Sequence, residues 1–346
     1  MLGTRGLAFP RIGRVVLLAA AACTVTTPEG SSAVIPNGDG GIGFDDLRYS
    51  PTLHRVLAPA GRTGTLALVD PDSLAVTTIA GFRASPAFTT GHPDGPTSVD
   101  EGAGLLFVTD RTAGEIAAVD PVVGKIIASA KVASTPDYVR WVESTRELWI
   151  TEPDSSQLEI VAFAAGQAGP TLTSVAIIPF ANGPESLVVD QAAGRAYAHR
   201  WQNTSVVLDV HTRAVVAEWP NGCTTASRGL ALDTARGFFL AGCADGTLSV
   251  LDLAQDGKMV SSISKGSDVD VLGYSPTLGH VYQAGSGCSC LVILGVAAGG
   301  QVTELGQMDA PATTHCATAD DRGHAWVCDP QGGQLFRVTD PYPSSL

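Results

Sequence analysis

The chain has 346 residues, of which 45% are hydrophobic and 16% are charged, and its formal net charge at pH 7 is −13. This acidic balance argues against nucleic acid and anionic membrane surfaces as partners, because both are bound through clusters of Lys and Arg and no basic run is visible. The length allows one domain with a substantial core.

The chain begins with a segment that is typical of a secretory signal. Three arginines precede an eight-residue apolar run at 15–22, which is too short to cross a bilayer, because about 20 apolar residues are needed for a span. We therefore predict a signal peptide at 1–22 and an exported protein, periplasmic or at the cell surface. Cys23 follows an alanine run and is a candidate for lipidation, which would tether the protein to a membrane. Cleavage nearby, with a soluble product, is the alternative.

Residues 23–43 are rich in Thr, Pro, Ser and Gly and are predicted to form a tether. The region that follows, 44–346, repeats a unit of four short strands, which is clearest at 183–219. The residue that closes the first strand of each unit recurs at intervals of 50, 43, 47, 43, 42 and 45 residues, a period typical of propeller blades. These residues are Ser50, Asp100, Glu143, Asp190, Asp233, Ser275 and Asp320.

This repeat predicts an all-β fold, a seven-bladed β-propeller of four-stranded antiparallel blades. A β-sandwich or barrel is the alternative. It is less favoured because each repeated unit contains four strands and no long amphipathic helical period appears. The seventh unit lacks its fourth strand, because the chain ends soon after the strand predicted at 335–339. The segment Ala33–Pro36 is a candidate for that strand and would close the ring, removing its open edges.

Aspartates recur at the ends of the third strands. Asp accepts backbone hydrogen bonds in tight turns, so we assign these residues a structural role. They are Asp70, Asp120, Asp209 and Asp252.

The repeat also resembles a known family. The pattern G-P-x-x-L-x-V-D, followed by x-G-x-x-Y-A, S-V-V-L-D and T-x-x-V-V, is similar to the YVTN-type β-propeller repeat of YncE-like bacterial proteins, over about 33–346. The resemblance implies the propeller fold. It leaves the activity open, because related propellers include lactonases, streptogramin-type lyases, cofactor-binding redox domains and proteins that only bind.

Six cysteines lie in the repeats, and export favours disulfides. Cys316 lies near the start of a first strand and Cys328 at the end of the antiparallel second strand, so we predict that they are bonded. Cys223 and Cys243 occupy similar positions in the fifth blade and form a second predicted pair. A bond between the remaining two cysteines, at 288 and 290, would close a very small, strained ring. A metal or redox cluster is the alternative for these cysteines.

Counting back from the strand-closing residues places a set of charged side chains at one mouth of the central tunnel. Five residues back, or six in blades two and three, lie Asp45, Asp94, Asp137, Glu185, Arg228, Asp270 and His315. Nearby are His92, Arg140 and Asp268. The second-strand ends are expected to supply Asp110, Glu152, His199 and Arg200 to the same face.

Five carboxylates around one axis repel one another, which raises some of their pKa values unless a cation or a basic group lies among them. Arg228 is the internal candidate, and a divalent cation such as Ca²⁺, held by Asp45, Glu185 and Asp270, is the external one. Ligand contacts are predicted for Asp94, Asp137, Arg140, Glu185 and Arg228. The alternative is that these residues only cap strands around a water-filled channel.

The residues predicted at this mouth are consistent with two functions. The first is an exported, monomeric, non-catalytic binding or scaffold propeller, with a small-molecule or protein ligand at the acidic mouth. The second is a metal-dependent lactonase or lyase, in which a carboxylate-bound divalent cation polarises a carbonyl and His315 or His199 transfers a proton. The usual hydrolase, zincin and nucleotide motifs are absent from the sequence. The Glu, Asn and Asp ligands of the lactonases do not align with equivalent positions of these repeats.

Overall fold

The computed structural model describes residues 31–167 and 169–346, together with residues 1 and 3. These residues form 28 strands in seven four-stranded antiparallel sheets, so the predicted seven-bladed propeller is confirmed. In this part of the chain, helix is limited to three 3-10 turns, and no helix is long and apolar enough to span a bilayer. Cys23 and nearly all of the predicted signal peptide lie outside the described residues.

Each of the first six blades runs outward from the tunnel in chain order. Blade one contains β2 (Arg48–Ser50), β3 (Arg55–Pro59), β4 (Thr65–Val69) and β5 (Val76–Ala80). Blade two contains β6 (Pro96–Gly102), β7 (Leu105–Asp110), β8 (Glu115–Asp120) and β9 (Lys125–Lys131). Blade three contains β10 (Val139–Val142), β11 (Glu147–Glu152), β12 (Gln157–Gly166) and β13 (Gly169–Pro179). Blade four contains β14 (Glu185–Asp190), β15 (Arg195–His199), β16 (Thr204–Asp209) and β17 (Val215–Pro220).

The remaining blades follow the same plan. Blade five contains β18 (Ser227–Asp233), β19 (Phe238–Cys243), β20 (Thr247–Asp252) and β21 (Lys258–Ser264). Blade six contains β22 (Val269–Ser275), β23 (His280–Gly285), β24 (Cys290–Val296) and β25 (Val302–Asp309). Blade seven contains β26 (Ala317–Ala319), β27 (His324–Asp329), β28 (Gln334–Thr339) and, as its outermost strand, β1 (Ser32–Val34).

The pairing of β1 with β28 closes the ring. Ala33 lies opposite Leu335 in an antiparallel register, and the Ile35 N–H continues the contact by donating to the Gly333 carbonyl at 3.1 Å. The predicted closure is confirmed, with the strand at Ser32–Val34 instead of 33–36. Pro36 cannot take part in such a ladder as a donor, because it has no N–H.

The core consists of the interfaces between blades. Every residue of β11 and β19 is buried, because a middle strand faces a neighbouring blade on each side. The outermost strand β9 instead alternates exposed and half-buried residues. The first and seventh blades pack together through a cluster that includes Ile35 and Trp326.

The aspartates at the third-strand ends hold turns, as predicted. Each Oδ1 accepts the backbone N–H of the residue two positions later, at 2.8 to 3.1 Å. The repeated Asp thus stabilises the turn into the outermost strand. This accounts for the four aspartates without a functional role.

Three disulfides are present among the described residues. The two predicted pairs, Cys223–Cys243 and Cys316–Cys328, are bonded, with Cα–Cα distances of 5.4 and 5.6 Å. Cys288 and Cys290 are also bonded, at a Cα–Cα distance of 5.1 Å, contrary to the expectation that so small a ring is unfavourable. The intervening Ser289 adopts a left-handed conformation with φ 49°, which reverses the chain and turns the two cysteines towards each other.

We expect closure of the ring to be a large contribution to stability. Ile35→Ala should lower the free energy of unfolding by about 2–5 kcal/mol, because it opens a cavity where the closing strand packs. Val34→Ala, on the exposed side of β1, is the matched control and should change it by less than about 0.5 kcal/mol. Urea denaturation of both variants measures the difference, and equal effects would show that the strand does not close the core.

Candidate functional site

The loops that enter the innermost strands converge on one mouth of the tunnel. A pocket of about 460 Å³ opens there, lined by side chains that include His92, Arg228, Asp268, Asp270 and His315. Each of these residues lies just before or at the start of an innermost strand, or in the loop leading to it. The blades therefore deliver them to the same level around the axis.

His92 links two carboxylates across this mouth. Its Nδ1 lies 2.9 Å from Asp45 Oδ2 and its Nε2 lies 3.4 Å from Asp270 Oδ2. Burial opposes a charge on the ring, but Asp45 and Asp270 outweigh it and raise the pKa of His92 well above its usual value. His92 therefore occupies the place that the sequence analysis gave to Asp94, whose carboxylate makes no hydrogen bond or ion pair to another described residue.

Arg111 adds a cation that the sequence analysis did not single out. Its Nη1 lies 3.0 Å from Asp137 Oδ1 and 3.3 Å from the carbonyl oxygen of His92, towards which it donates. Burial and the neighbouring Asp45 charge raise the pKa of Asp137 to about 7. The signal for Arg111 was its position, because it directly follows the end of β7, where side chains were expected to face the mouth.

Arg228 lies between Glu185 and Asp270 without a close contact to either. Its Nη1 is 3.7 Å from Glu185 Oε1 and its Nε is 3.8 Å from Asp270 Oδ1, both longer than a hydrogen bond. Burial and the Asp270 charge raise the pKa of Glu185 well above its usual value. For Asp270, burial acts in the same direction, but His92 outweighs it and lowers the pKa to about 2.

Both ring nitrogens of His315 lie within hydrogen-bonding distance of backbone carbonyl oxygens. Nδ1 lies 3.0 Å from the carbonyl oxygen of Thr313, and Nε2 lies 2.9 Å from that of Phe44. The ring also stacks on His92, with centroids 5.9 Å apart. Both nitrogens of His315 are thus occupied, although its ring lines the pocket.

His199 lies away from the mouth. Its side chain is fully buried, Nδ1 lies 2.9 Å from Ser205 Oγ, and the ring stands edge-on to Phe239. Burial lowers the pKa of His199 to about 3. The residue is enclosed by protein and does not line the mouth pocket, so the expected proton transfer there does not fit its position.

Other second-strand ends have structural partners. The Asp110 carboxylate accepts the N–H of Arg83 at 2.6 Å, and the Glu152 carboxylate accepts the N–H of Ser134 at 2.9 Å. Both carboxylates therefore hold the loop that leads to the innermost strand of their own blade.

Arg140 lies deeper in the tunnel, where it is paired with Asp46. Nη1 donates to Asp46 Oδ2 at 2.6 Å and Nη2 donates to Oδ1 at 2.9 Å. Ser98 Oγ donates to the same carboxylate at 2.6 Å. These donors are used within the protein, so the ligand contact predicted for Arg140 at the mouth does not fit this placement.

Tyr138 contacts a mouth residue and also lines the cavity at the opposite end of the tunnel. Its hydroxyl donates to Asp45 Oδ1 at 3.2 Å, while Arg140 lies over its ring, 5.4 Å from the centroid. Both residues line a second cavity, of about 510 Å³, that opens at the opposite end. Tyr138 and Arg140 thus face the cavity at the opposite end and do not line the mouth pocket.

The residues predicted to hold a divalent cation such as Ca²⁺, Asp45, Glu185 and Asp270, do not form one of the groups of possible metal ligands in the described part of the chain. Ligand atoms of Asp45, His92 and Asp137 lie within 4.8 Å of one another, as do those of His92, Asp270 and His315. Both groups depend on His92, whose nitrogens face carboxylates, and the Arg111 guanidinium lies against the first. A third group includes Cys316 and Cys328, which are bonded to each other.

Comparison with known proteins supports the fold alone. No family model matches the chain, and no curated protein sequence does. A chain of a mitotic checkpoint complex is similar in structure, with 16% identity, a TM-score of 0.72, and coverage of 98% of this chain and all of that one. Hydrazine synthase of Kuenenia stuttgartiensis has 10% identity and a TM-score of 0.70, covering 87% of this chain and 96% of that one. The β-propeller domain of Myceliophteria thermophila Cps50 (Swd1) has 11% identity and a TM-score of 0.68, covering 87% and 98%.

We expect Asp137 to make stability depend on pH. Its pKa in the folded protein, about 7, lies above the value of about 3.9 in an unfolded chain. The stability that it contributes is therefore fully present below about pH 4 and is lost as the pH rises through 7. Asp137→Asn removes this contribution, so its melting temperature should fall less than that of the wild type between pH 4 and 7.

The matched control is Asp256→Asn, at an exposed turn position. It should leave the shape of the pH profile unchanged, because its side chain is exposed and lies outside the mouth. Melting curves at several pH values compare the three proteins. Parallel profiles for Asp137→Asn and the wild type would contradict the assigned titration.

Proposed function

We propose that this protein is an exported, non-catalytic propeller of the YVTN type that binds a small carboxylate-bearing molecule in the mouth pocket. The observation that carries the proposal is the state of Arg228. Within the described residues, no hydrogen bond engages its guanidinium, and 36% of its side chain is exposed in the pocket. The other cations of the mouth are held in close contacts.

A guanidinium offers five N–H donors in a planar fork that matches a carboxylate. Glu185 and Asp270 attract Arg228 by charge, at distances of 3.7 and 3.8 Å, but do not use these donors. The raised pKa of Glu185 favours its neutral form, which weakens its competition with an incoming anion. The ligand carboxylate is therefore expected to complete the hydrogen bonds of Arg228.

The remainder of the pocket favours a ligand with hydrogen-bond donors beside its carboxylate. The Asp268 and Asp270 carboxylates line the same pocket, and Asp268 is oriented by a hydrogen bond from the Ser286 hydroxyl. The volume of about 460 Å³ is within the range of small-molecule sites. A small hydroxy acid or amino acid combines these properties.

Binding without catalysis is favoured by the state of the two mouth histidines. His92 is held between carboxylates, and His315 is held between backbone carbonyls, so neither presents a nitrogen to a ligand. A general acid or base must reach the proton that it transfers. Export is supported by the basic and apolar pattern at the start of the sequence, and membership of the YVTN family by the repeat pattern.

We expect the metal-dependent enzyme, the alternative function, to fail a direct test. Elemental analysis of the oxidatively folded protein should find no stoichiometric divalent metal, because Arg111 and His92 already balance the carboxylates. The melting temperature should also be the same with and without a chelator. A bound metal that is lost in Asp270→Asn, with a lower melting temperature, would support the lactonase or lyase instead.

The binding proposal is tested by thermal shift with a panel of small hydroxy acids and amino acids. A ligand at 100 times its Kd should stabilise the wild type by about 2.7 kcal/mol. Arg228→Gln should lose this stabilisation, because its amide lacks the positive charge and the planar fork of donors that match a carboxylate. Arg322→Gln, at an exposed arginine outside the pocket, is the matched control and should keep it.

A panel that stabilises Arg228→Gln as strongly as the wild type would contradict the role of Arg228. The test also includes a short peptide of Asp and Glu residues. Stabilisation by that peptide, with none by the small acids, would replace the small ligand by an acidic protein partner. No stabilisation by either would overturn the proposal.

A further inference from the structure

One disulfide differs from the other two in its exposure. Cys223 and Cys243 are 3% and 0% exposed, and Cys316 and Cys328 are both 0% exposed. Cys288 is only partly buried, while its partner Cys290 is 1% exposed. The Cys288–Cys290 bond thus includes one partly exposed residue, whereas both residues of each of the other two bonds are buried.

The Cys288–Cys290 disulfide is expected to stabilise the folded protein little. The stabilisation that a disulfide gives by constraining the unfolded chain grows with the length of the loop that it closes. The sequence separation is 2 residues for this bond, against 20 and 12 for the others. Constraint of the unfolded chain therefore explains the two buried bonds far better than this one.

The bond also lies at the rim of the mouth pocket. Ser286 and Gly287, which immediately precede Cys288, line that pocket. Cys290 is the first residue of β24 and stays paired with Asp309 of β25, so opening the bond leaves the sheet intact. Cys288 Sγ lies 3.3 Å from the Gly285 carbonyl oxygen, which can accept a hydrogen bond from the thiol once it forms.

We propose that Cys288–Cys290 is a thiol–disulfide exchange site for small dithiols and thiols, a chemistry separate from the binding proposed for the pocket. A thiolate of the dithiol attacks Cys288 Sγ, on the less buried of the two residues, which forms a mixed disulfide and breaks the bond to Cys290. Cys290 leaves as a thiolate and takes up a proton. The second thiolate of the dithiol then attacks the first sulfur of the same dithiol, which is bonded to Cys288 in the mixed disulfide. Cys288 leaves as a thiolate and takes up a proton. The protein disulfide is reduced, and the dithiol is oxidised to a disulfide.

The experiment follows each disulfide of the oxidatively folded, native protein during exposure to dithiothreitol. Samples are quenched with acid, the thiols are alkylated, and peptides are identified by mass spectrometry. Cys288 and Cys290 should become alkylated at least about tenfold faster than the other four cysteines, because the buried bonds must wait for local opening. Reduction at the same rate as the buried bonds, or only in denaturant, would overturn the proposal.

Two single variants test which sulfur is attacked. In Cys290→Ser, the remaining Cys288 thiol should form a mixed disulfide with glutathione disulfide. In the matched Cys288→Ser variant, the buried Cys290 should react at least about tenfold more slowly. Equal reactivity of the two variants would contradict the assignment of Cys288.

A stability measurement separates this site from the structural bonds. The double variant Cys288→Ser/Cys290→Ser should melt close to the wild type, whereas Cys223→Ser/Cys243→Ser should melt clearly lower. If Cys288→Ser/Cys290→Ser melts as low as Cys223→Ser/Cys243→Ser, the Cys288–Cys290 bond has a structural role, and the proposal is overturned. Alkylation of Cys288 in the oxidised protein without any reductant would show that the bond does not form, and would also overturn the proposal.

Discussion

The antiparallel pairing of β1 with β28 is the constraint on which the rest of the structure depends. A propeller blade cannot bury its faces alone, so each blade relies on both of its neighbours, and the ring has free ends until the last blade is completed. The closing strand supplies that completion and brings Ile35 into the core between the first and seventh blades. A side chain from blade one strengthens the join, since Arg62 donates to the carbonyl oxygens of Asn37, Asp39 and Gly41.

Closure of the ring also brings residues of the mouth together. The His315 ring reaches across the join between the seventh and first blades to the carbonyl oxygen of Phe44, 271 residues away in sequence. His92 then connects Asp45 of the entry to blade one with Asp270 of blade six. A mouth of this kind requires every blade to hold its place, which explains why the site is built on the innermost loops of a rigid ring.

Charge compensation decides what the mouth can bind. Burying a carboxylate is costly unless a cation or hydrogen-bond donors accompany it. Asp45 and Asp137 are deeply buried and are matched by His92 and Arg111. Arg228 is left with loose contacts at the surface of this network, so it is the group that the proposed ligand would contact. At the opposite end of the tunnel, Arg140 and Asp46 neutralise each other.

The sequence by itself determined the repeat and its local chemistry. The period of the strand-closing residues gave the number of blades, the turn aspartates such as Asp70 defined the third-strand ends, and the incomplete seventh unit required a strand from the other end of the chain. The pairs Cys223–Cys243 and Cys316–Cys328 followed from antiparallel neighbours within a blade. All of these features depend on short-range periodicity, which is written directly in the order of residues.

Only the tertiary structure decided which side chains meet. The choice of His92 over Asp94 depends on the path of one loop, and the inclusion of Arg111 depends on a contact with Asp137 in the next blade. His199 satisfied the sequence rule for the mouth, yet the packing of blades four and five encloses it. Loop paths and contacts between blades join residues that are far apart in sequence and have no fixed spacing, so the repeat could place the mouth but could not arrange its charges.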